Sequence, residues 1–208
     1  MVYVCLSRFL KVLSAILLVL MISCNLSKTG IDKYANMRYY YTEGAQLNKQ
    51  NEFRKAIVAF NRSLQHANNF QDDRVKAECY DGIAYANFRM NRYMEAIKNY
   101  ANAFMIKPAD SKLTNTHLYS AIGNCYHFLG IIDSARYYYE KAAKLANSPN
   151  DKCIVWNNLG LLNQQIGRYD TSLMFYEKAE SQLGHVDSGS LNQELLMNLG
   201  VFNFIMND

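Results

Sequence analysis

A small side chain returns along this chain at near-constant intervals: Gly44, Ala84, Gly123, Gly160 and Gly200 stand 40, 39, 37 and 40 residues apart. Two further columns keep the same phase. Twelve residues after each of the first four comes Ala56, Ala96, Ala135 or Ser172, and four further on comes Phe60, Tyr100, Tyr139 or Tyr176. A bulky side chain (Tyr40, Tyr80, Tyr119, Trp156 and finally Leu196) precedes each small one by four residues. Self-similarity at such a period marks units that cannot bury an apolar face alone and must stack on their neighbours. Two prolines and ten glycines among 208 residues are too few for the turn-rich punctuation of an all-β sandwich or barrel. Residues four apart share one face of a helix, so each copy is read as two helices whose small and bulky columns interlock.

The columns resemble the tetratricopeptide repeat, with its Trp-x2-Leu-Gly-x2-Tyr, Ala-x3-Phe and closing Pro. The third copy carries Tyr119, Ile122, Gly123, Tyr126, Gly130, Ala135, Tyr139 and Ala142 in those places, and the second closes on Pro108. Departures are Leu47, Asn87 and Asn163 in place of Tyr, Asn51 and Asn91 in place of the turn Gly, Ser63 in place of a later small residue, and Glu43 in place of Leu. The resemblance implies an all-α fold, an α-solenoid of about four helix-turn-helix units plus a C-terminal half-unit. The expected array runs over 37–208, divided as 37–76, 77–115, 116–152 and 153–192 with a partial unit at 193–208. The residues beyond a 34-residue period are expected in the second helix or its exit, with exits at 68–73, 109–115, 148–151 and 185–190.

First helices of such arrays line a concave groove, and function is normally binding along it. By the resemblance, groove positions follow the Trp, Gly and Tyr columns. Here they are Tyr41, Ala45 and Asn48; Asp81, Tyr85 and Phe88; Ser120, Asn124 and His127; Asn157, Leu161 and Gln164; then Met197, Val201 and Phe204. The lining is aromatic and amide-rich with few charges, which suits an extended peptide of a protein partner. The resemblance also implies no binding of chaperone tails through a terminal-carboxylate clamp. That clamp needs lysines just after the Trp column, where Tyr41, Asp81, Ser120 and Asn157 stand.

The amino terminus reads as an address. Arg8 and Lys11 precede an apolar run from Val12 to Ile22, broken only by Ser14. Such a run fits a signal h-region and is short for a hydrocarbon core about 30 Å thick. Met21-Ile22-Ser23-Cys24 resembles a bacterial lipobox, with Met21 in place of the usual Leu. The resemblance implies a signal peptide over 1–23, lipidation at Cys24 and a polar tether over 24–36, hence a bacterial envelope protein held on its membrane and facing the periplasm. Without Arg8 and Lys11 the body carries 20 basic against 18 acidic residues. A balance so close to neutral gives no electrostatic footprint for nucleic acid.

Catalytic chemistry finds little purchase in the sequence, and no enzyme, metal or cofactor is expected. His66, His117, His127 and His185 hold no metal-ligand or hydrolase spacing. Gly123 and Gly160 fall inside helices instead of in a phosphate loop after a strand. Cys79, Cys125 and Cys153 are expected as buried thiols, with a Cys79 to Cys125 bridge as the alternative. A last first-type helix begins near Leu191 and carries Leu195, Leu196, Leu199, Gly200, Phe202 and Ile205. Its apolar surplus leaves a second function open, the envelope-facing sensory module of a longer signalling protein of which this chain is a fragment.

Overall fold

The structure, a computed structural model, describes residues 34–183 and 189–207. The expected signal peptide, Cys24 and most of the tether lie outside the described residues. Among the described residues the chain forms helices and no strand. They are α1 (34–49), α2 (Phe53–Phe70), α3 (Asp73–Arg89), α4 (Tyr93–Ile106), α5 (Asn115–Phe128), α6 (Ile132–Leu145), α7 (Pro149–Gln165), α8 (Tyr169–Glu180) and α9 (Gly189–Asn207). Each odd-numbered helix up to α7 pairs with the even one after it, and successive pairs stack, so the architecture is an α-solenoid. Residues 34–36, expected to end the tether, already belong to α1. No described helix is long and apolar enough to cross a membrane.

One turn is used four times inside the pairs. Asn51, Asn91, Gly130 and Gly167 take φ values of 61°, 60°, 74° and 73°. The amide of the following residue donates to the carbonyl five residues back, as from Glu52 to Leu47 and from Ile131 to Tyr126, each at 2.9 Å. This is the helix-closing motif in which a left-handed residue lets two amides reach the last free carbonyls. Asparagine is among the few side chains that enter that region at small cost, so Asn51 and Asn91 do the work of the glycine they replace. Helices that follow the exits between pairs start instead on side-chain caps: Asp72 accepts from Val75, Thr114 from His117 and Ser148 from Asp151. The exits expected at 68–73 and 148–151 give way in part to helix, while a lengthened second helix is one of the two places expected for the added residues. The added residues extend α2 through Phe70, leaving only Gln71 and Asp72 before α3, and 149–151 is the first turn of α7. Residues 107–114 are a true loop.

The core forms where the columns meet. A Cβ on Gly44, Gly123 or Gly160 would come within 2.8, 2.6 and 2.6 Å of the rings of Phe60, Tyr139 and Tyr176. Only glycine lets these helices close onto those rings. Phe60 is gripped from two sides, because a Cβ on Gly82 of the next pair would lie 2.4 Å from it. Four buried clusters result, and Tyr80, Tyr126 and Trp156 each pack against two of them, tying unit to unit. Polar departures from the repeat pattern are accommodated by hydrogen bonds. Ser63 donates to the Met37 carbonyl at 2.9 Å, Ser172 to Gly160 at 2.8 Å, and the amides of Asn87 and Asn163 to the carbonyls one turn back. Cys79, Cys125 and Cys153 are buried. The bridge between Cys79 and Cys125 does not form, because each thiol sits inside a different cluster; burial pushes both up to about 12.

Candidate peptide-binding groove

The odd helices α3, α5, α7 and α9 contribute neighbouring walls to two open clefts. The first, about 220 Å³, is walled by Tyr85 and Phe88 of α3, with Tyr100, His117, Ser120, Ala121, Asn124 and Ile154. The second, about 510 Å³, is lined by His127 and Phe128 of α5, Leu161, Gln164 and Gln165 of α7, Tyr169 of α8 and Ile205 of α9. Of the ten principal groove candidates, Tyr85, Phe88 and Asn124 thus meet in one cleft, and His127, Leu161 and Gln164 in the other.

The other four stand elsewhere. Asn48 is buried, its amide spent at 2.9 Å on the carbonyl of Gly82, so it joins two units in place of facing a ligand. Asn157 is 1% exposed and accepts from the amide of Asn198 at 2.9 Å, which fastens α9 to α7. Tyr41 is half-buried against Phe60; burial first, then Glu78, raises its hydroxyl to about 12. Asp81 turns to His117, with Nε2 and Oδ1 2.8 Å apart. These positions follow the right columns, but superhelical packing decides which member of a column is covered. Tyr100, which belongs to the ring column that packs between helices, and Ile154 and Tyr169, which belong to none of the named columns, are cleft walls that sequence spacing does not reveal.

Two hydrogen bonds organise the polar part of the surface. The Tyr139 hydroxyl donates to Oδ1 of Asn124 and the Tyr176 hydroxyl to Oε1 of Gln164, each at 2.7 Å. An amide whose oxygen is held this way has its orientation set, and its two N–H donors are left to other partners. Among the described residues no hydrogen bond is recorded from either donor group. Nδ1 of His127 lies 3.3 Å from the same Tyr139 oxygen, and burial holds this imidazole below the ordinary histidine range. Ser120, also buried, has a hydroxyl without a recorded partner beside Asn124 in the first cleft. Aromatic rings and oriented amides therefore line the same two clefts. Among the described residues, no group of three His, Cys, Asp or Glu side chains is placed to hold a metal ion.

His117 and Asp81 bridge α5 and α3, and they predict a pH dependence. Burial lowers the imidazole's affinity for a proton, but the hydrogen bond and charge of Asp81 outweigh it and hold the group above its usual 6.5. A folded value above the unfolded one stabilises fully at pH below the unfolded value and is lost as pH rises through the folded one. The imidazole is half exposed, so the effect is limited to about 1 kcal/mol or less. Chemical denaturation of the parent and His117→Asn should therefore show a stability gap at about pH 5.5 that narrows by about pH 9. A gap independent of pH contradicts the bridge.

Paired helices around a trough of rings and oriented amides define a repeat scaffold, and comparison with other proteins agrees. The tetratricopeptide repeat model matches residues 116–149 and 155–181, the third and fourth pairs. The chain is 25% identical over 179 residues to the CCR4-NOT transcription complex subunit 10 of Danio rerio, a match over 76% of this chain that spans 28% of that relative's length. BtubC (BKLC) from P. vanneervenii shares the fold at TM-score 0.61 and 22% identity, over 79% of this chain and 70% of that one. YrrB, described as a TPR protein with an unusual peptide-binding site, superposes at TM-score 0.50 and 18% identity, over 81% of this chain and 76% of its own. Residues 116–149 and 155–181 therefore match tetratricopeptide repeats, within an α-solenoid that solved repeat structures share.

Proposed function

We propose that this chain is an envelope scaffold, tethered through lipid on Cys24, that holds an extended segment of a partner protein along the two clefts. The observation that carries the groove assignment is the pair of tyrosine-to-amide bonds, Tyr139 to Asn124 and Tyr176 to Gln164. They present N–H donors at fixed positions, so backbone carbonyls of a ligand are met without the entropy of ordering long polar side chains. Tyr85 and Leu161 supply apolar seats beside them. The peptide-binding description of YrrB supports the same use of the fold. The lipid tether rests on Met21-Ile22-Ser23-Cys24 and the apolar run before it.

Two measurements test the proposal. Selection from an unbiased library of unstructured peptides, followed by fluorescence anisotropy, should yield ligands whose affinity falls at least about tenfold, or about 1.4 kcal/mol, in Tyr85→Ala and in Gln164→Ala. Tyr85 is the more exposed probe: its ring meets Phe53 and its hydroxyl accepts from Arg89, whereas the ring of Phe88 packs on both Tyr93 and Phe128. Ligands bound equally well by both variants would place the site elsewhere. The tether is tested separately: intact-mass measurement of protein extracted from bacterial membranes should show loss of residues 1–23 and acylation at Cys24, and an unmodified Cys24 would refute it.

A further inference from the structure

The geometry points to the first cleft as a selectivity pocket for one uncharged amide side chain of the bound segment: a glutamine whose methylenes lie on Tyr85, Phe88 and Ile154 and whose carbonyl accepts from the floor. This deepens the groove assignment and rests on it for the path of the segment. The pocket itself is built by α3, α4, α5 and α7, all interior to the array.

The floor carries hydrogen-bonding groups that the fold leaves unused. Ser120 lines the cleft at 6% exposure, and its Oγ has no hydrogen-bond partner among the described residues. Buried hydroxyls are nearly always paired, so an unpaired one bordering a cavity bears on what the cavity takes. Nδ2 of Asn158, one turn beyond the cleft wall Ile154 on α7, is buried and unpaired as well. Asn124 adds its N–H donors, because the Tyr139 hydroxyl donates to its oxygen at 2.7 Å and the amide cannot turn over without losing that bond.

Donors at the floor select an acceptor. Lysine and arginine bring only donors of their own and would leave these groups unpaired. A carboxylate accepts, but it would enter beside Asp81. The basic groups on the cleft walls are already engaged: His117 lies 2.8 Å from Asp81, and Arg89, which donates to the Tyr85 hydroxyl, also lies over the rings of Tyr85 and Phe53. A charge taken out of water without a partner is the costlier occupant. An amide oxygen accepts from the same donors and carries no charge. The walls set its length: Tyr85 is 38% exposed, so rings form the mouth and polar groups the bottom, and the longer of the two amide side chains spans both. A cleft of about 220 Å³ seats one such side chain.

Titration of the isotope-labelled full chain, in a non-ionic detergent, with N-acetylglutamine methylamide tests the pocket without any peptide partner. The side-chain amide resonances of Asn124, assigned by their loss in Asn124→Asp, should shift saturably, with a dissociation constant in the millimolar range. The glutamate and leucine analogues should bind at least about tenfold more weakly. Ser120→Ala should weaken the glutamine probe about fivefold while the denaturation midpoint holds or rises, since the change removes a buried unpaired group. A hydroxyl that served only the fold would do the reverse. Equal binding of the leucine analogue makes the cleft a plain apolar seat and overturns the proposal. Equal or tighter binding of the glutamate analogue makes it an anion site and does the same, as does a titration with no shift at Asn124. The two readings fail separately. Selected peptides that lose affinity in Tyr85→Ala and Gln164→Ala yet show no preference for glutamine would leave the groove and remove the pocket. A glutamine probe that binds as stated, with no peptide captured, would remove the groove reading instead.

Discussion

Replacing Tyr139 with alanine should cost about 3–5 kcal/mol, the usual range for truncating a fully buried aromatic side chain. The ring is wholly buried, fills the space that Gly123 leaves open, and packs in a cluster with Ala135, Ala142, Val155, Leu159 and Leu162. Its loss opens a cavity at the joint between the α5–α6 and α7–α8 pairs. Because units in a repeat array stabilise one another only through neighbours, damage there should weaken both sides. Urea denaturation followed by circular dichroism would measure it. Tyr137→Ala is the control: it is 54% exposed on the opposite face of α6, and the change should stay within about 0.5 kcal/mol. Equal effects at the two positions would show that the ring column does not carry the core.

The second large effect is opposite in sign to what helix propensity dictates. Glycine inside a helix is worse than alanine by about 0.5–1 kcal/mol, so an unhindered Gly→Ala change stabilises. At Gly123 the added Cβ would stand 2.6 Å from the Tyr139 ring, and overpacking of this kind costs about 1–3 kcal/mol. Gly123→Ala should therefore destabilise. Gly200→Ala should stabilise, because its Cβ meets nothing within 4 Å among the described residues. Denaturation midpoints of the two variants give the comparison directly, and stabilisation at both sites would refute the close packing of α5 on Tyr139.

Reading of the fold from sequence rested on columns in constant phase, and those columns are visible because the packing problem is solved the same way in each unit. A ring needs a glycine or alanine opposite it at every repeat, so the requirement recurs at every repeat. The turns are legible too: Asn51 and Asn91 stand where the repeat pattern has its turn glycine, and they adopt the left-handed conformation found at Gly130 and Gly167. The groove was legible less evenly. Tyr85, Phe88, Asn124, His127, Leu161 and Gln164 line clefts, but Asn48 and Asn157 follow the same column rule and lie buried at the contacts between units.

Periodicity along the chain thus specified that these residues make stacked helix pairs and which side chains face one another within a pair, since spacings of four and twelve residues act locally. What the pairs do to one another came from packing in three dimensions. The second grip of Gly82 on Phe60, the tyrosine hydroxyls that aim Asn124 and Gln164, and the Asp81–His117 bridge all join atoms whose proximity depends on the rotation between helices or units. That rotation is the sum of many small side-chain fits, and no single column of the sequence contains it.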